Sequence, residues 1–393
     1  MAIDRRRFLS LAAAMGLAPA AALAAAPENG AVLYLSARKR GGRDEAVLLD
    51  ETGHDRLVVP MPARGHSFAI DSASGRAVVF GRQPGFFALA FSLDGGEPQA
   101  LPMHEERHFF GHGAYLEGGR LLAATENDFE AGRGVLGVYD ASPGAAYRRI
   151  AEFDTGGIGP HEVVLMPDGK TLCVANGGIL THPDYGKLEL NLDTMRPSLA
   201  YIDAASGELL EKVELEPALH RLSIRHLALA ADGCIWFGCQ YMGPAADRPA
   251  LVGRHRRGAR LELFEGPAQT LRQMRNYVGS VAVDAAGAVV ATSSPVGGQV
   301  MYWDAANGRC LGTTALADGC GVAPAADAGF LLSSGLGAML RADATGRRRP
   351  CWRRRARCRG TTISAKCRRR PDPFRLQSLT QQGRNAALIA SVI

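Results

Sequence analysis

Four histidines, His66, His112, His161 and His226, each stand at the start of an apolar run that is followed by a similar turn. A neutral imidazole ligates iron, copper, zinc or nickel, and it can also pass protons near neutral pH. Glu162 follows His161 directly, and Arg225 precedes His226. Polar segments elsewhere hold Glu126, Asp128, His182, Asp184 and Arg196, which could stand around the same imidazoles. Carboxylates beside imidazoles favour iron over copper or zinc. The competing reading is structural, because a histidine at a repeat start can simply bond a neighbouring turn. Glu126 and Asp128 also have the look of paired carboxylates for hydrolysis, although any polar loop can supply two acids. Asn176-Gly177-Gly178 reads as a turn and not a phosphate cradle, since no helix follows it.

The elements that must position these residues repeat along the chain. One unit runs from Pro160 to Leu165, turns at Pro167-Asp168-Gly169, continues over Thr171–Ala175 and, after a long loop, over Leu199–Ile202 and Leu209–Leu215. The same order recurs from His66, His112, His226, Gly279 and Cys320, with starts spaced by roughly 40 to 65 residues. Asp-initiated turns at Asp203, Asp304 and Asp343 separate the third and fourth runs. Four-stranded units at this period predict an all-β propeller of the WD40/YVTN type. Six full units and a partial one over Val32–Met61 make seven blades, with the first strand of blade 1 owed by the C-terminus. First strands line the channel of such a ring, so His66, His112, His161 and His226 should meet at one level of one face. The loops between second and third strands open on that face. Trp236 and Trp303 lie in strands and read as packing between blades.

Charge is unevenly placed. Fourteen of the 45 Lys/Arg but one of the 39 Asp/Glu lie from Arg347 onward, so the preceding body carries 31 basic and 38 acidic residues. An acidic body argues against nucleic acid as a partner. The first residues, with Arg5, Arg6, Phe8 and Leu9, match a twin-arginine export signal, and the alanine-rich stretch to Ala25 is too short for a stable membrane span. Residues 1–26 are therefore expected to be a signal peptide, 27–346 the propeller, and the mature protein periplasmic. The five body cysteines (Cys173, Cys234, Cys239, Cys310, Cys320) form no CxxC or CxxCH pattern and read mostly as buried thiols.

Several runs are specific beyond the repeat: Gly157–Glu162, Ala175–Ile179, Thr181–Pro183, Asn191–Leu199, Ser223–Leu227 and Asn276–Ser280. Together they resemble an uncharacterised family of twin-arginine-exported bacterial propellers, classed as a domain of unknown function. The resemblance covers the signal and the body to about Gly346. Members are often encoded beside imelysin-type proteins and a dihaem oxidoreductase in iron-uptake clusters, which implies iron handling with periplasmic partners of the imelysin type. It also implies a closing strand reading WDNHL. Codons for Arg359–Ser364, shifted in frame, can encode that strand, so residues 347–393 are read as an out-of-frame basic tail. On this reading the ring loses its closing strand, and blade 1 should fray. A metal-handling accessory protein, an enzyme of the lactonase or quinoprotein-dehydrogenase type, and a docking platform all remain compatible with the histidine face.

Overall fold

The computed structural model describes residues 21–22, 32–186, 188–326, 328–349 and 388–392. They form a seven-bladed β-propeller. Blade 2 is built from Gly65–Asp71, Arg76–Gly81, Ala88–Ser92 and Gln99–Ala100, each antiparallel to the next. Blade 3 begins with Arg107–Leu116, blade 4 with Pro160–Leu165, blade 5 with Leu222–Leu229, blade 6 with Ser280–Val283 and blade 7 with Gly319–Pro324. These first strands line a central cavity of about 750 Å³. The twin-arginine residues Arg5, Arg6, Phe8 and Leu9 lie outside the described residues. No helix among the described residues is long and apolar enough to cross a membrane.

The strand patterns follow from where each strand sits. Second strands are covered on both faces by adjacent blades, so Arg76–Gly81 and Thr171–Asn176 are almost wholly buried and read as continuous apolar runs. Outer strands such as Arg148–Asp154 are mostly half-buried or exposed. Trp236 of blade 5 and Trp303 of blade 6 are fully buried, with the Phe264 ring between them at 5.1 and 6.5 Å. Truncating either indole would cost about 3–5 kcal/mol. The three Asp turns use one device, in which the carboxylate of Asp203, Asp304 or Asp343 accepts a backbone N–H two residues on.

Ring closure corrects the sequence reading. Blade 1 contains Leu33–Arg40, Arg43–Asp50 and Asp55–Met61, and Leu388–Val392 occupies its innermost place beside Leu33–Arg40. The blade is therefore not left without its first strand. The unpaired edge of Leu33–Arg40 needs a partner, and the run Leu388–Val392 supplies one. That pairing is parallel, whereas in the other six blades the first strand runs antiparallel to the second. On the outer edge, Ala21–Ala22, within the segment read as the export signal, pairs with Asp55–Met61. Residues 348–349 form the fourth strand of blade 7, so the fold runs past Gly346. Residues 350–387 of the tail lie outside the described residues.

Candidate metal centre

Ladder irregularities aim the histidines. In blade 2 the pairing of the first two strands skips His66, and in blade 4 it skips His161. In blade 3 the residues from Phe110 to His112 stand opposite Thr125 alone. Such bulges bend a strand and redirect its side chains, here toward the channel. Thr125 holds the blade 3 bulge, because its hydroxyl donates to the His112 carbonyl (3.1 Å) and accepts from the His112 N–H (3.3 Å). Blade 5 departs from the sequence alignment. There the bulged residue is Arg225, and His226 takes the next position, the one Glu162 has in blade 4. Blade 7 bulges at Cys320.

The four imidazoles converge. Ring centroids lie 4.7 Å apart for His161 and His226, 5.0 Å for His66 and His112, and 5.1 Å for His112 and His161. The widest separation, His66 to His226, is 6.3 Å. Close approach depends on Gly111, whose φ is +106° and where a Cβ would stand 2.3 Å from His66 Cδ2. Glu162 enters from below, with Oε1 3.6 Å from His112 Nδ1 and Oε2 3.3 Å from His226 Nδ1. The Leu227 N–H also donates to that carboxylate (3.0 Å), which fixes its position. Two triplets place candidate ligand atoms within 4.8 Å of one another: His66, His112 and His161; and His112, Glu162 and His226.

Electrostatics keep these rings in their ligand form. Burial, followed by the charges of His226, Arg82, Arg225 and Arg64, holds His66 down to about 3. His112 and His161 are held well below the usual histidine range, mainly by burial and then by neighbouring rings, with Arg225 adding to the effect at His161. His112 Nε2 and His161 Nδ1 are buried with no hydrogen-bond partner among the described residues. A buried polar atom left unbonded costs about 1–3 kcal/mol, so two on rings whose centroids lie 5.1 Å apart require an explanation.

Other residues singled out in the sequence go elsewhere. Glu126 accepts from the Tyr139 hydroxyl (2.6 Å) and pairs with Arg149 (2.9 Å). Asp128 pairs with Arg107 (2.8 Å) and Arg133 (2.9 Å). His182 caps a short 3-10 turn, accepting from the Asp184 N–H, and lies 3.4 Å from Glu130. Arg196 pairs with Glu214 at the surface. None of these joins the imidazole group. The long blade 4 loop does reach across this face, because Thr181 is bonded by Gln83 of blade 2 (2.9 Å) and by Asn127 of blade 3 (3.1 Å). Sequence reasoning missed Arg64 and Arg82, which line the same cavity. Their one signal was proximity, since Arg64 stands two residues before His66.

The family described as Protein of unknown function (DUF1513) matches residues 59–356. The chain belongs to this family. The match spans every strand that carries the imidazole cluster and continues past the last strand of blade 7. No curated protein matches. Among solved structures, the chain is similar to one titled Kuenenia stuttgartiensis Hydrazine Synthase, at 14% identity and a TM-score of 0.50, covering 72% of this chain and 79% of that one. It is also similar to one titled Crystal Structure of Mitotic Checkpoint Complex, at 12% identity and a TM-score of 0.50, covering 70% and 76%. These likenesses speak for the propeller fold that this DUF1513 member adopts, and not for its chemistry.

Proposed function

We propose that the channel-mouth cluster binds a transition-metal ion through His66, His112 and His161. One observation carries this reading: two buried imidazole nitrogens, His112 Nε2 and His161 Nδ1, lack any partner inside the cluster where ligand atoms already lie within 4.8 Å. Metal–nitrogen bonds of about 2.0–2.1 Å place ligand atoms about 3.4 Å apart in a tetrahedral site and at most about 4.2 Å apart when trans, so closure needs the rings to draw in by about 0.6–1.4 Å at the widest pair. Glu162 supports the site from outside. Its Oε1 stands 3.6 Å from His112 Nδ1, where the carboxylate's charge favours the tautomer protonated on Nδ1 and so leaves Nε2 free to ligate. His226 shares the same carboxylate and completes the wall. Three imidazoles suit iron, copper, zinc or nickel, and the choice of iron among them follows the family resemblance.

The biological reading follows the family resemblance and the leader. We place the mature protein in the periplasm, exported by the twin-arginine route, as an accessory protein in iron or other metal handling that works with imelysin-type partners. The residues after Gly346 are read as out of frame, and the reversed direction of Leu388–Val392 suits a substitute for the in-frame strand. Resequencing the locus tests this, and an intact frame refutes it. The metal reading is tested by elemental analysis of the protein purified from periplasm beside His161→Ala. Near-stoichiometric iron is expected, with affinity falling by more than about 100-fold in the variant, since even an outer partner of a ligand is worth 10–100-fold. A metal-free wild type under metal-replete conditions would overturn it.

A further inference from the structure

The charge around the cluster is wrong for a bare cation. Arg64 and Arg82 both line the cavity onto which His66 opens. Neither guanidinium makes an ion pair or a side-chain hydrogen bond among the described residues. Arg225 stands on the blade 5 bulge beside His226, and its buried Nε has no partner. Arg64 and Arg82 are neighbours at one end of blade 2, where the Arg82 N–H donates to the Arg64 carbonyl (2.9 Å), so the two cations stand side by side at the mouth. Acids are present but do not neutralise this group: Asp318 and Asp44 act on Arg64, and Glu189 on Arg225, each without an ion pair. Glu162 is committed to His112, His226 and the Leu227 N–H. A divalent ion on neutral imidazoles would therefore add its charge to three arginines that already lack counter-ions.

Resting on the metal reading above, we infer that the cavity takes its metal together with a small polycarboxylate, which completes the coordination and is clamped by Arg64 and Arg82. Three observations converge on this class. About 750 Å³ is far more room than an ion needs and falls in the range of small-molecule sites. Guanidinium groups match carboxylates through paired N–H donors. The arginines lie on the open side of the cluster, where His66 keeps part of its surface exposed, so that a ligand in the channel can touch ring and guanidinium together. The channel wall below the mouth turns apolar at Phe68, Val163 and Val281, which confines the charged end of such a ligand to the histidine level.

The test is anaerobic equilibrium dialysis of the full chain with ferrous iron alone, citrate alone, and both at matched free iron, reading bound iron and labelled citrate. The wild type is expected to hold iron and citrate in equal amounts, with iron bound at least tenfold more tightly when citrate is present, as charge-assisted hydrogen bonds allow. The Arg64→Gln/Arg82→Gln variant should lose that gain and bind iron alone several-fold more tightly, because repulsion is relieved. His161→Ala should lose iron under both conditions. Since neither arginine side chain is bonded, the double variant should fold, and Arg82→Gln alone provides a second reading. Iron bound without any gain from citrate would overturn this inference and leave the metal site standing. Iron bound under neither condition would overturn both.

Discussion

Two polar clusters in this propeller are buried to a similar degree and behave in opposite ways. The first, on the rim of blade 3, is nearly saturated. Glu126 is held by Tyr139 and Arg149, Glu152 by Arg107, Arg133 and Arg149, and Asp128 by Arg107 and Arg133. One nitrogen, Arg149 Nε, is left over. The second, at the channel mouth, gathers four imidazoles, two of them beside the Glu162 carboxylate, and leaves His112 Nε2 and His161 Nδ1 unbonded. Burial penalises both clusters, but only the first meets the penalty with internal partners. Burial alone thus does not mark a site. Unspent ligand valence at a point of convergence does.

The sharpest way to break the comparison is to damage the saturated cluster. Arg149→Ala leaves Glu126 buried with only the Tyr139 hydroxyl, where burial already pushes its carboxyl up. Removing one partner of a buried pair costs about 3–5 kcal/mol. Thermal or denaturant unfolding should show that loss, while the iron content of the folded fraction stays at the wild-type level. A fall in iron would mean that Glu126 belongs to the site after all.

The matching change at the mouth is Glu162→Gln, which should spare the fold and weaken the metal. A glutamine carbonyl can still accept from the Leu227 N–H, so local structure has a replacement bond. It cannot offer a charged acceptor to both His112 and His226. Loss of such an outer partner typically costs 10–100-fold in metal affinity. Competition with a chromogenic chelator would measure it, and unchanged affinity would remove Glu162 from the centre.

Much of this was legible in the sequence. The repeat of apolar runs and Asp turns gives the seven blades, and the histidines at repeat starts give the face on which they meet. The two acids were not separable there, because Glu126 and Glu162 look alike as letters. What divides them is Tyr139 and Arg149, which meet Glu126 only across strands, with Gly137 leaving space for its side chain. The bulges were equally hidden, since one residue skipped in a ladder leaves no mark on composition. Hence His226 was aligned with His161, whereas Arg225 holds that position. Arg64 and Arg82 were missed because nothing in a linear reading shows that two arginines share a cavity. The closing strand was foreseen by position, but the run that fills it was not.

The two clusters should also separate by pH in the metal-free protein. His112 and His161 are held well below the unfolded histidine value of 6.5, and His66 down to about 3. Between those limits the unfolded chain binds more protons than the folded one, so stability is fully present above pH 6.5 and declines as pH falls. From pH 6.5 to 5 each enclosed imidazole, His112 and His161, contributes a loss of up to about 2 kcal/mol. Glu152 of the rim cluster behaves differently. Burial works against its charge, but hydrogen bonds from Arg107 and Arg149 prevail and hold it down to about 2 from an ordinary 4.5. Its contribution therefore survives to pH 4.5 and is lost only below that. Unfolding followed from pH 8 to 3 should show two windows of decline, and in a His112→Phe/His161→Phe variant the upper window should shrink while the lower one stays. If both windows persist unchanged, the imidazoles are not held neutral by their enclosure, and the contrast between an open and a saturated cluster fails.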